Sequence, residues 1–248
     1  MKKVLSMKYK VSSINKSKIW FLLFFIVLGF VVLQIPVNVL EGAKVKFTLF
    51  DLFAPISAAF LGSYFGIIAV LLMQAVNLFV NGFGGVQTDS VLKLAATLRF
   101  LPLAFGVWYF ALAQKKPGNP KLILSIPLLS IIVFNLHPVG RTVWFYSLFW
   151  FIPLLVWPLR ERFLLARSFG STFTAHAVGG AVWIWAFNLP ANVWVSLIPI
   201  VVLERSIFAL GISASYIFLN NILAVFSKIR LLAGIFSFDK KYVLGFLK

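Results

Sequence analysis

Thr172, His176, Gly180 and Trp183 are spaced so that a helix would align them along adjoining turns of one face. A hydroxyl, an imidazole and an indole arranged this way form either the polar wall of a solute pocket or a set of hydrogen bonds between helices. The first reading extends to proton relay through His176. A second group, Glu204-Arg205, lies inside the last long apolar stretch. In lipid an unpaired charge costs at least a few kcal/mol, so both residues need partners, a cavity or the interface.

Adjacent helical positions point in different directions. Glu204 is therefore expected to pair with a base from another span, Arg99 or Arg141, while Arg205 finds its own partner. Arg99 and Arg141 also suit recognition of an anionic substrate, since guanidinium matches carboxylate and phosphate geometry. Reaching toward lipid phosphates is their other reading. His176, Thr172, Trp183, Arg99, Arg141, Glu204 and Arg205 make up the candidate substrate-binding set. Asp51 is expected to cap a helix start. Trp144, Trp150, Trp183, Trp185 and Trp194 read as an interfacial belt or as stacking walls for a flat ligand.

Other chemistries lack their residues. With no cysteine in the chain, thiolate metal sites, disulfides and cysteine nucleophiles are excluded. Two histidines and six scattered acidic residues argue against a histidine-rich metal site and against paired carboxylates holding a metal. No Gly-rich loop runs into Lys-Ser/Thr, so there is no Walker-type ATPase site. Gly211-Ile212-Ser213-Ala214-Ser215 is not a Gly-x-Ser-x-Gly elbow. No catalytic residue, metal or cofactor is implied.

The elements that would position these residues are hydrophobic. The 248 residues are 61% hydrophobic and 12% charged, with a mean hydropathy of +0.99. A soluble globule needs roughly 25% charged residues. The expected architecture is all-α, a polytopic integral membrane helix bundle of about six to eight transmembrane helices. It forms a single membrane domain over 1–248, with a basic cytoplasmic N-terminus (1–18), a bundle (19–226) and a basic amphipathic tail (227–248). Spans are placed at 19–40, 47–62, 65–80, 91–113, 122–136, 142–159, 168–185 and 198–226. The first is too long for the h-region of a signal peptide and is read as a retained span.

As one helix, 47–80 would be about 50 Å long, too long for a bilayer core of roughly 30 Å. It is expected to fold back at Gly62-Ser63-Tyr64-Phe65-Gly66, where glycine permits the turn. Pro199 places the start of the last span near Ile198. The net charge of +17 is read as topology signals and contacts with anionic membrane lipids, not as nucleic-acid binding. Basic clusters at the N-terminus, 115–121, 160–167 and 228–241 alternate with poorly charged loops. This predicts a multi-pass protein of the cell membrane with both termini cytoplasmic. Two seams of small residues, Ala54/Ala58/Gly62 and Ser171/Ala175/Gly179, are expected at helix contacts, either within the fold or with another membrane subunit. The tail from 231 onward reads as an interfacial amphipathic helix.

The run Phe50-Asp51-Leu52-Phe53-Ala54-Pro55-Ile56-Ser57-Ala58-Ala59-Phe60-Leu61-Gly62-Ser63-Tyr64-Phe65-Gly66, continuing to Asn77, resembles the second and third helices of substrate-binding S components of energy-coupling-factor transporters. The resemblance covers residues 50–77. It implies capture of a vitamin or similar micronutrient from outside, with separate ATPase subunits and a membrane coupling subunit as partners. The leading reading is a small-solute uptake protein of this kind, with its pocket expected toward the outer side among the fourth, sixth, seventh and last spans and 81–90 as its lid. The runner-up reading is a non-catalytic membrane scaffold or assembly subunit. A third is an intramembrane enzyme acting on a lipid-linked substrate.

Overall fold

The computed structural model describes residues 16–39, 46–81, 98, 100–114, 120–229 and 238–245. In order, these form α1 (Lys16–Leu33), β1 (Pro36–Val39), β2 (Lys46–Thr48), α2 (Leu49–Leu61), α3 (Ser63–Asn81), α4 (Phe100–Gln114), α5 (Lys121–Leu136) and α6 (Pro138–Thr142). A 3-10 segment (Trp144–Phe151), α7 (Ile152–Val156) and a further 3-10 turn (Trp157–Leu159) lead to α8 (Leu164–Phe187) and α9 (Ala191–Lys228). The fold is thus helical apart from one antiparallel ribbon, in which Pro36 faces Thr48 and Val39 faces Lys46.

The folded-back hairpin is present. Asp51 caps α2, its Oδ2 accepting from the Thr48 backbone N–H at 2.9 Å, in the first turn where a carboxylate meets free amides. Gly62 ends the helix with φ +86°, a conformation glycine adopts without steric cost. Its N–H bonds to the Ala58 carbonyl at 3.0 Å, and α3 begins at the next residue. The two helices then pack closely, because a Cβ at Gly66 would run into the backbone of Ala58.

Four span boundaries are corrected. The first apolar run does not continue to residue 40, because the chain leaves α1 at Leu33 and enters the ribbon. Phe47 belongs to β2, so α2 starts two residues later than expected, at Leu49. The run 142–159 is not one helix. Pro153 and Pro158 lie in it, each lacking a backbone donor, and the segment alternates between 3-10 and α geometry. The last helix begins at Ala191, directly after Pro190, and contains Pro199 instead of starting beside it. Residues 82–97 and 99, which include most of the expected lid and the start of the fourth span, lie outside the described residues.

Among the described helices, Ala191–Lys228 alone is both long and apolar enough to cross a membrane unaided. Ile19–Leu33, Leu49–Leu61, Ser63–Asn77, Phe100–Gln114, Lys121–Leu136 and Trp144–Leu159 are apolar but of 10–17 residues. α8 lies between α4, α5 and α9. The seam Ser171/Ala175/Gly179 faces α4, with Ser171 Oγ donating to the Gly106 carbonyl at 2.7 Å. A Cβ on Gly106 would stand 3.1 Å from that of Ala175. Both small-residue seams therefore make contacts inside the fold.

Two apolar clusters flank this centre. One joins α1, α2 and α3 to α4 and the second half of α9. The other joins α5 and the 3-10 segment to α8 and the first half of α9. The described part of the tail, 238–245, holds a 3-10 turn at Lys240–Tyr242, while 230–237 and 246–248, where most of the expected amphipathic helix falls, lie outside the described residues. It is tied to α9: Asn220 exchanges hydrogen bonds with the Asp239 backbone at 2.9 and 2.6 Å. Asn221 bonds to the Tyr242 carbonyl and the Leu244 N–H.

Candidate functional site

A cavity of about 290 Å³ opens between α2, α4, α8, α9 and the 3-10 segment. Thr172, His176, Trp183, Glu204 and Arg205 all line it. Five of the seven candidate residues are thus brought together by two helices. Arg141 is not. It is exposed in α6, with Nη2 bonded to the Leu136 carbonyl at 3.3 Å, and Glu204 pairs elsewhere. Arg99 lies outside the described residues.

Glu204 and Arg205 pair with each other, contrary to the expectation that adjacent residues diverge. Arg205 Nη2 donates to Glu204 Oε2, and the side chains are only 9% and 10% exposed. The long arginine stem swings the guanidinium back over its neighbour, a reach that backbone direction alone does not capture. Nη1 also donates to Thr172 Oγ1 at 3.3 Å, tying α9 to α8. The guanidinium lies 4.4 Å from the Phe208 ring centroid, a favourable cation–π placement. Glu204 Oε1 is buried and accepts from no described residue.

His176 is held from both sides. Trp150 Nε1 donates to Nδ1 at 3.0 Å, and Tyr146 Oη lies 3.1 Å from Nε2. An indole N–H only donates, so Nδ1 must be the lone-pair nitrogen. The ring is then the neutral tautomer protonated on Nε2, which donates to Tyr146 Oη. Gly180, one turn beyond His176, makes this arrangement possible, since a Cβ there would strike the Trp150 ring.

Sequence reasoning missed Tyr146, which sits in a stretch read as one ordinary span. It also missed the lining role of Asp51 and Pro55 on α2. The available signal was the density of Tyr and Trp around 144–157, since these residues bury with a polar group needing a partner. The tryptophans divide. Trp144 and Trp185 are exposed, Trp150 and Trp194 are buried, and Trp183 and Trp194 line the cavity. In comparisons with known proteins, no family model, curated protein or solved structure matches the chain.

Proposed function

We propose that this chain is a multi-pass membrane protein that takes up a small solute, binding it in the cavity among α2, α4, α8 and α9. Both termini are cytoplasmic in this reading, and separate ATPase and coupling subunits drive release. The observation that carries it is the cavity itself. Its volume is at the small end of small-molecule sites, roughly 300–1,000 Å³. Its wall is mainly apolar with a few convergent polar groups at His176, Thr172 and the Glu204–Arg205 pair.

The distribution of side chains supports the membrane part. Large apolar residues such as Trp20, Val27, Ile132, Leu155, Leu203 and Phe218 face outward, while Arg205, Thr172, Ser171 and Thr174 are buried. Polar groups inside and apolar groups outside suit a lipid surround. The resemblance of 50–77 to S components supports dependence on partner subunits, as does the missing ATPase motif.

The test is to purify the full chain from its native membrane, denature it and identify released small molecules by mass spectrometry. A solute retained by the native chain and lost from Gly179→Leu, which projects into the cavity, is the expected result. A chain that retains no solute but copurifies stoichiometrically with another membrane protein would favour the scaffold reading.

A further inference from the structure

We propose that the cavity takes a compact ring solute offering a hydrogen-bond acceptor to the Tyr146 hydroxyl at one end and a hydrogen-bond donor to Glu204 Oε1 at the other. This rests on the cavity being the solute site. The first requirement follows from the His176 tautomer. Trp150 occupies Nδ1 and thereby places the proton on Nε2. Tyr146 Oη accepts that proton's hydrogen bond, so its own O–H remains to be donated. No described residue accepts from it, and Tyr146 lines the cavity.

The second requirement comes from Glu204. Its Oε2 is engaged by Arg205, while Oε1 is buried without a partner among the described residues. A buried acceptor left unmade costs about 1–3 kcal/mol, more when charged. A solute N–H relieves that cost, whereas a solute carboxylate at this end would set one acceptor oxygen against another.

The cavity, about 290 Å³, sets the size of the solute. Tyr146 is anchored on His176, and the ion pair on Thr172 through Arg205. A six-membered ring with a polar group at each end fits that volume, and Trp183, Trp194 and Phe208 supply its apolar walls. In this arrangement His176 does not touch the solute. Trp150 and His176 are positioning residues that decide which way Tyr146 points its proton.

Four probes test this with the full chain in lipid nanodiscs, binding being followed by ligand-observed NMR against empty discs. Methyl 4-aminobenzoate carries both groups, methyl 4-methylbenzoate only the acceptor, 4-methylaniline only the donor, and 1,4-dimethylbenzene neither. Loss of either group is expected to weaken binding roughly threefold to tenfold. In Trp150→Phe the imidazole is free to protonate Nδ1, Tyr146 turns to donate to Nε2, and the preference for the ester falls to about one while that for the amine persists. Tyr146→Phe should do the same. Equal binding of all four probes overturns this inference and leaves the solute site standing. An ester preference that survives both variants also overturns it. Failure of every probe to bind would count against the site itself.

Discussion

The aromatic side chains around α1 and α2 and those around α8 are packed by opposite means. In the first region Phe25 meets Phe21 at 5.2 Å, Phe53 at 5.4 Å and Phe60 at 5.8 Å between ring centroids, with buried Met73 in the same cluster. These phenylalanines carry no donor or acceptor, so no hydrogen bond holds one ring away from the next. In the second region Phe134, Tyr146, Trp150 and Trp194 also make ring contacts near 5–6 Å. Here, however, Trp150 is tied to His176 and Trp194 Nε1 to the Leu189 carbonyl at 3.2 Å. Tethered rings stand where their hydrogen bonds hold them, and a cavity persists beside them.

Substitutions should separate the two regions. The largest effect is expected from Phe25→Ala, which opens a void among these phenylalanines and should cost about 3–5 kcal/mol, read as a lowered Tm in detergent with solute binding per folded molecule unchanged. Arg205→Met should follow at about 1.5–3 kcal/mol, the range for hydrogen bonds to charged groups. Restoring neutrality with Glu204→Gln should recover part of that loss in a double-mutant cycle, and a strictly additive pair would contradict the ion pair as placed.

The two crowded glycines make the sharpest contrast. Gly66→Ala meets backbone and should cost about 1–3 kcal/mol by overpacking. Gly180→Ala meets the end of the Trp150 ring, which can shift, so it should cost less stability and instead disturb the solute preference set through His176. Smallest is Ser171→Ala, which removes the bond to Gly106 between α8 and α4. A loss of about 0.6 kcal/mol, the average for such contacts in a bilayer, is expected from chemical denaturation in micelles.

Much of the frame was legible in the residues. Glycine spacing located the turn between α2 and α3, and helical periodicity put Thr172, His176 and Trp183 on a common wall, because both depend on local backbone geometry. The broken segment 144–159 was not legible, since hydropathy registers apolar content and not whether prolines interrupt the hydrogen-bond ladder. The Glu204–Arg205 pairing was misread for a related reason: helix direction fixes where Cβ points but not where a long guanidinium ends. Trp150's influence on Tyr146 passes through an intermediate ring and a bare glycine, a three-body relation that no spacing rule encodes.

α9 has a mechanical consequence. Its 38 residues give a rod about 57 Å long at 1.5 Å per residue. Glu204 and Arg205 line the cavity from its first half, and Asn220 and Asn221 grip the tail near its far end. A swing of about 5° pivoting at one end displaces the other by about 5 Å over that length. A tilt of this helix at the cavity would therefore be larger at the end where the tail is held.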